Sequence, residues 1–223
     1  MTNRKQGQSS LTSTKIKEWV EDLQNILFDL NICLNNAKRL GMMKYEHEEW
    51  VKDHGFFQHY HYQLRFIMVI QLSKLIANKK RTHKRNLYYL CEALEAADFN
   101  EDFLKDLRRD QPKRFIEPLT TGQSIIEMVA KIKEALDQNL FLIMQVVEAR
   151  DQIYAHNDPN SNMKVPSIGD LETLIQLCNG VFNRFTGVLY KSHTDFAQTA
   201  GWDIDFVLRE MTARRKSKID ART

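Results

Sequence analysis

The sequence predicts an all-α fold, an antiparallel helical bundle of three to four long helices with short accessory helices. The 223 residues include only 8 glycines and 4 prolines, about half the share that an average protein devotes to these turn-forming residues. Apolar residues recur at steps of three and four over long stretches, as on the buried face of a helix. No stretch alternates apolar and polar residues over enough positions to predict a sheet.

The first helix is predicted from Ile16 to Leu40, where apolar residues keep helical spacing until Gly41 ends the pattern. Thr14 is its expected N-cap, because a threonine hydroxyl can accept a hydrogen bond from the first turn.

A second helix is predicted within 45–78, with Gly55 separating a short first piece. It is apolar nearly all round near 66–70, which predicts a central position in the bundle. The residues expected on its buried side are Phe56, Phe57, Tyr60, Leu64, Ile67, Met68, Leu72, Leu75 and Ile76.

Shorter helices are expected next, one starting at Leu87 and one capped by Asn100. From Gln123 to Asp158 the chain has no glycine or proline, which predicts one very long helix or two with a joint near 137–139. This helix must end before Pro159, because the residue before a proline is pushed out of the α region.

Ser167 and Asp170 are spaced like a capping box that opens another helix. A final helix is expected at about 203–213. The chain is thus divided into a flexible N-terminal arm (1–13), one helical domain (14–213) and a basic flexible tail (214–223).

Composition and cysteine content narrow the class of protein. Cys33, Cys91 and Cys178 are far apart and odd in number, which argues against a disulfide framework and for a reducing compartment. The longest apolar runs have five residues, far short of the ~20 of a membrane span. The polar first residues lack a signal-peptide core. We therefore expect a cytoplasmic protein with no membrane partner.

The net charge of +3 does not by itself indicate a nucleic-acid partner. One segment, 79–85, nevertheless concentrates positive charge without an acidic residue. It is either a solvated loop or a contact for a phosphate backbone. Its candidate RNA-binding residues are Lys79, Lys80, Arg81, Lys84 and Arg85. The chain from Arg209 to Arg222, with six basic and two acidic residues, has the same two interpretations.

Histidines invite a metal-site interpretation, which their spacing does not support. His47, His54 and His61 are seven residues apart, and seven residues of helix rise about 10.5 Å, too far for one ion to bind two of them. We expect no metal and no cofactor.

The segment Glu148–Pro159 contains Arg150, Asp151 and His156 at a predicted helix end. One interpretation is ordinary helix termination by cationic residues followed by Asn157-Asp158-Pro159. The other is a catalytic centre, because histidine exchanges protons near neutral pH and arginine presents a fork of donors to phosphate oxygens.

The pattern Arg-Asp-x-x-x-Ala-His-Asn-Asp resembles the signature of the HEPN superfamily, an arginine and a histidine separated by four to six residues. Ala155 before His156, with Asn157-Asp158 after it, resembles the abortive-infection (AbiU-type) branch. Phe56-Phe57, Arg65 and Leu72-Ser73-Lys74-Leu75 resemble the second helix of that branch. The similarity covers about residues 16–190, and only 150–158 is specific.

The resemblance implies a HEPN-like helical domain with metal-independent endoribonuclease activity on single-stranded RNA or tRNA, usually as a homodimer, in toxin or phage-defence roles. By position, Arg150 and His156 would be the catalytic pair. Asp151 would orient Arg150 or shape the site. Some members of the superfamily do not cleave RNA and instead bind RNA or scaffold partners.

Two further residues are supporting candidates. Tyr154 shares the helix face of Arg150 and is a candidate for base stacking, phosphate binding or simple packing. Asn157 is a candidate for orienting His156. In a regular helix Arg150 and His156 lie about 120° apart and ~9 Å apart along the axis, so a twofold dimer that pools two such helix ends would bring the groups together.

Three hypotheses stay open from the sequence. The leading one is an endoribonuclease that uses the 2′-OH of RNA, leaves a 2′,3′-cyclic phosphate and spares DNA. The second is a non-catalytic helical module that binds RNA or protein, with 79–85 as its contact. The third is a toxin silenced by a cognate antitoxin, which would act on Tyr154.

Overall fold

The computed structural model describes residues 12–77, 86–109, 120–155, 166–199 and 201–221. These ranges hold α-helices and one π-helix and contain no strand, so the predicted all-α fold is confirmed. The α-helices are α1 (Ser13–Leu40), α2 (Glu48–Lys52), α3 (Gly55–Ile76), α4 (Leu87–Glu95), α5 (Glu101–Arg109), α6 (Gly122–Gln138), α7 (Leu140–Ala149), α8 (Ile168–Leu189) and α9 (Asp205–Asp220). The π-helix, Arg150–Ala155, directly continues α7.

The centre of the bundle is formed by α1, α3 and α8, which all contact one another. Helix α8 runs antiparallel to α1, since Lys38 near the end of α1 binds Glu172 near the start of α8 and Asn31 binds Asn179 further along. Helices α6 and α7 pack against this centre, and α4 packs against α6. The buried apolar side chains of these helices form one cluster.

Helix boundaries follow from side-chain caps. The α1 cap is Thr12, which accepts a hydrogen bond from the Lys15 N–H, and not Thr14 as predicted. The Asn100 side chain caps α5 as predicted, and Ser167 with Asp170 forms the predicted capping box of α8. The predicted division at Gly55 is also confirmed, with α2 before it and α3 after it.

The long predicted helix from Gln123 is two helices, which meet at Asn139 within the predicted joint. Asn139 ends α6, and its side-chain amide donates to the carbonyl of Ala135. Because this bond replaces the regular backbone pattern at the joint, α7 starts anew at Leu140.

Three further expectations are corrected. Phe56 and Ile67 were expected in the core, but they are 61% and 36% exposed, because the neighbouring helices cover only part of the apolar surface of α3. Residues 214–223 were expected to be a flexible tail, but α9 continues to Asp220. Alanine, arginine and lysine favour helix there, and no glycine or proline interrupts it.

Two predicted segments lie outside the described residues. They are most of the N-terminal arm (1–11) and the basic connector (79–85). In the described ranges, no helix is both long enough and apolar enough to cross a membrane.

Candidate functional site

Arg150 is the first residue of the π-helix that follows α7. Each N–H of a π-helix bonds to the carbonyl five residues earlier, so the turn is wider than that of an α-helix. The regular-helix geometry used to place Arg150 relative to His156 therefore does not hold at this end of the helix. Single π turns inside α-helices occur frequently at functional sites.

Asp151 holds the Arg150 guanidinium. Its Oδ1 accepts from Nε at 2.7 Å and lies 2.5 Å from Nη2. The Arg150 side chain is 18% exposed and that of Asp151 37%. Asp151 thus fixes one edge of the guanidinium, and Nη1 has no hydrogen-bond partner among the residues that the structure describes. An orienting role for Asp151 requires a contact of this kind between its carboxylate and the Arg150 guanidinium.

Several candidates from the sequence fall outside what the structure describes. His156 and Asn157 follow the last described residue of the π-helix, and the side chain of Tyr154 is not described. The same holds for the candidate RNA-binding residues Lys79, Lys80, Arg81, Lys84 and Arg85. Their roles stay predictions.

Helix α3 supplies two polar side chains that the sequence reasoning did not assign to the site. Helix α3 contacts the π-helix, and Arg65 Nη2 donates to the carbonyl of Pro166 at 2.8 Å. Pro166 immediately follows the segment that carries His156. Arg65 therefore fixes the position of Pro166, the first described residue after this segment.

His61, four residues before Arg65, lies on the same side of α3. Burial, and then the charge of Arg65, lower the pKa of His61 and so favour its neutral form. His61 Nε2 and Arg65 Nε are buried and have no hydrogen-bond partner in the described ranges. The i, i+4 spacing of His61 and Arg65 is visible in the sequence, but His59 and Gln63 on the same helix have the same spacing, so the spacing does not single out this pair.

An apolar groove adjoins the Arg150–Asp151 pair. It has a volume of about 580 Å³ and lies along α7 and the start of the π-helix. Its lining residues are Leu140, Ile143, Met144, Val147, Glu148, Asp151 and Gln152. Phe141 and Met144 on the same helix are 77% and 61% exposed. Neighbouring apolar side chains exposed to water are unfavourable in a monomer, so this face has the character of an interaction surface.

The cysteines give no nucleophile. All three are buried, and burial raises the pKa of Cys91 and of Cys178 to about 12. Each therefore stays a thiol at neutral pH, as expected of a small core residue. Within the described ranges, no group of three histidine, cysteine or acidic residues is arranged to hold a metal ion.

Comparison of the chain with protein-family models, with curated proteins and with solved structures gives no match.

Proposed function

We propose that this protein is a metal-independent endoribonuclease, with Arg150 and His156 as the catalytic pair. The observation that carries the proposal is the Arg150–Asp151 contact, which holds a guanidinium in a fixed orientation six residues before a histidine, with no partner for Nη1 among the described residues. The resemblance of this segment to the HEPN signature supports the same function in a toxin or phage-defence setting.

The chemistry follows from the substrate. RNA carries its own nucleophile, the 2′-OH beside each phosphodiester. His156 would accept the 2′-OH proton or donate a proton to the departing 5′ oxygen, since imidazole titrates near neutral pH. Arg150 would stabilise the negative charge that develops on the phosphate oxygens, and preorganised charge of this kind is often the largest catalytic contribution. The products are a 2′,3′-cyclic phosphate and a 5′-hydroxyl.

We propose that the active form is a homodimer in which the apolar face of α7 is covered by a second copy. This face lies beside Asp151, so twofold packing there would bring two Arg150 side chains towards one cleft. Replacing Phe141 and Met144 by glutamate should give a monomer in size-exclusion chromatography with light scattering. Ile126→Glu, on the exposed side of α6 (Ile126 is 49% exposed), is the matched control and should leave the mass unchanged.

The decisive experiment compares cleavage of total RNA and of tRNA by wild type, Arg150→Ala and His156→Ala, with a chelator present. Wild type should cut and both variants should not, while their circular dichroism and melting temperatures stay close to wild type. His193→Ala is the control, because His193 is exposed beyond the opposite end of α8. RNA that stays intact with wild type over a range of salt and pH contradicts the proposal.

One observation favours the second candidate, a non-catalytic RNA- or protein-binding module. The Asp151 carboxylate neutralises part of the charge that a transition state would need from Arg150. If this function is correct, RNA binding persists in His156→Ala with the wild-type salt dependence, and no cyclic phosphate forms with either protein.

A further inference from the structure

We propose that α9, together with neighbouring aromatic rings, is a binding surface for single-stranded RNA. This inference deepens the proposed function, because it rests on RNA as the substrate and assigns the surface that captures it. The α9 surface is defined by its exposed basic residues Arg209, Arg214, Arg215, Lys216 and Lys218, and by the rings of Trp50, Trp202 and Phe206.

The surface is a helix that projects its side chains into solvent. Of the 16 residues of α9, only Leu208 and Thr212 are buried. Arg214 and Lys218, four residues apart and so on one side of the helix, have no ion-pair partner in the described part of the chain. Two long cationic side chains are therefore available to phosphate oxygens.

Aromatic rings accompany these charges. Trp202, Phe206 and Trp50 are 72%, 61% and 52% exposed, although contact of large apolar side chains with water is unfavourable. The Arg209 guanidinium lies 5.3 Å from the centroid of the Phe206 ring, and that of Arg215 lies 5.0 Å from the Trp50 ring. Exposed rings interleaved with basic side chains are what non-sequence-specific binding of single strands uses, with bases stacking on rings and cations on the backbone.

The rings have defined positions. The Asn36 amide donates to the carbonyl of Trp202 and accepts from the N–H of Ile204, so α1 fixes the backbone that carries the Trp202 ring. Lys216 pairs with Glu46 at 2.8 Å, which holds the distal half of α9 against the chain before α2. A surface fixed in this way loses little conformational freedom when it binds.

The alternative partner for an apolar and basic helix is an anionic membrane, and the arrangement of α9 argues against it. A helix that lies in a membrane surface needs apolar residues along one face and basic residues along the other. In α9 they are instead divided along the length: Phe206, Val207 and Met211 are in the first half, and four of the five basic residues are in the second.

The α9 surface and the start of α8 share one end of the bundle. Adjacent residues at the end of α1 make the connection, since Lys38 binds Glu172 near the start of α8 and Arg39 binds Asp205 at the start of α9. The segment with His156 leads directly into α8. An RNA strand held on α9 is therefore presented at the end of the bundle where the chain resumes after the candidate catalytic segment, at Pro166.

The test measures binding without cleavage. The probe is a fluorescently labelled 2′-O-methyl RNA, which lacks the 2′-OH nucleophile and so cannot be cut. Its length of about 12 nucleotides is within the range that single-strand-binding surfaces cover. Its dissociation constant is measured by anisotropy as a function of salt. Arg214→Gln with Lys218→Gln should weaken binding about tenfold or more. The slope of log K against log salt should fall in magnitude by about 1.4, at ~0.7 per phosphate contact.

Ring variants test the stacking contribution separately. Trp202→Ala and Phe206→Ala should each weaken binding about fivefold or more, because base stacking on an aromatic ring is lost. The matched control is Lys105→Gln with Lys131→Gln, which removes the same charge from exposed positions of α5 and α6 and should bind as wild type. Melting temperatures confirm that each variant is folded.

Three results would overturn the α9 surface. The first is that the α9 variants bind the probe as tightly as wild type. The second is that the control double variant loses as much affinity as the α9 double variant. The third is that wild type binds vesicles of phosphatidylcholine and phosphatidylserine but does not bind the probe. These results are independent of catalysis. If wild type binds the probe through α9 but never cuts RNA, only the nuclease proposal is contradicted. If wild type cuts RNA but its binding does not change in the α9 variants, only the α9 surface is contradicted.

Discussion

Glu48→Gln tests how α2 and α9 are attached to the bundle. The Glu48 side chain is 0% exposed. Its Oε1 accepts from Arg39 Nη1 and from Lys52 Nζ, both at 2.6 Å, and its Oε2 accepts from the N–H groups of Lys44 and Tyr45 at 2.7 and 2.8 Å. A glutamine has almost the same shape but carries no charge, so the variant leaves Lys52 without its counter-charge and Arg39 with Asp205 alone.

The expected cost follows from the pKa of Glu48. Burial opposes its ionisation, but hydrogen bonds from Arg39 and Lys52 and from two backbone N–H groups outweigh burial and lower the pKa from 4.5 to about 2. A shift of this size is worth about 3 kcal/mol of stability at neutral pH. Breaking a buried ion pair by removing one partner costs a similar amount, about 3–5 kcal/mol. We expect Glu48→Gln to lose about 3 kcal/mol at pH 7.

The pH dependence supplies an internal control. Because the folded-state pKa is lowered, the contribution of Glu48 is fully present above about pH 4.5 and is lost as pH falls towards 2. The difference between wild type and Glu48→Gln should therefore be about 3 kcal/mol at pH 7 and shrink to half or less by pH 3. Urea unfolding followed by circular dichroism measures both. A loss below 1 kcal/mol at pH 7, or a difference that stays constant from pH 7 to pH 3, would refute the reasoning.

Three further changes test the helix starts and the core. Asn86→Ala should lower the free energy of unfolding, measured with urea, by about 2–4 kcal/mol, because this buried side chain caps α4 and also donates to the carbonyls of Lys74 and Ala77. A change near zero would contradict this role of Asn86. Ser167→Ala should cost about 1 kcal/mol through loss of the α8 capping box, and retention of full stability would count against that cap. Cys178 should react with iodoacetamide only after unfolding, and fast alkylation of the native protein, seen by mass spectrometry, would show that its burial is wrong.

Local signals in the sequence predicted the order of the helices well. The joint at 137–139, the division at Gly55 and the caps at Asn100 and Ser167 depend on residues close together in the chain, and each is found. The error at the start of α1 has a local reason. Residues 12–14 are Thr-Ser-Thr, so three consecutive hydroxyls can cap a helix, and the local sequence does not single out Thr12.

Features that depend on tertiary contacts could not be predicted. Helix α3 is apolar nearly all round near 66–70, and only the positions of its neighbours decide that Ile67 is exposed while Met68 is fully buried. The π turn at Arg150 has no residue pattern that distinguishes it from an α-helix. The Arg65 contact with Pro166 spans 101 positions, and nothing in either local sequence indicates it.

The attachment of α9 connects the stability argument with the proposed RNA surface. Only two side chains of α9 are buried, so its attachment depends largely on ionic contacts, those of Asp205 at its first residue and the Lys216–Glu46 pair further along. The pKa of Asp205 is lowered by the hydrogen bond from Lys44, against some burial, and by those from Arg39 and Tyr45. Protonating Asp205 and Glu48 removes both carboxylates that bind Arg39. As pH falls we therefore expect α9 to detach before the α1–α3–α8 core unfolds, and RNA binding to be lost while most helix content remains.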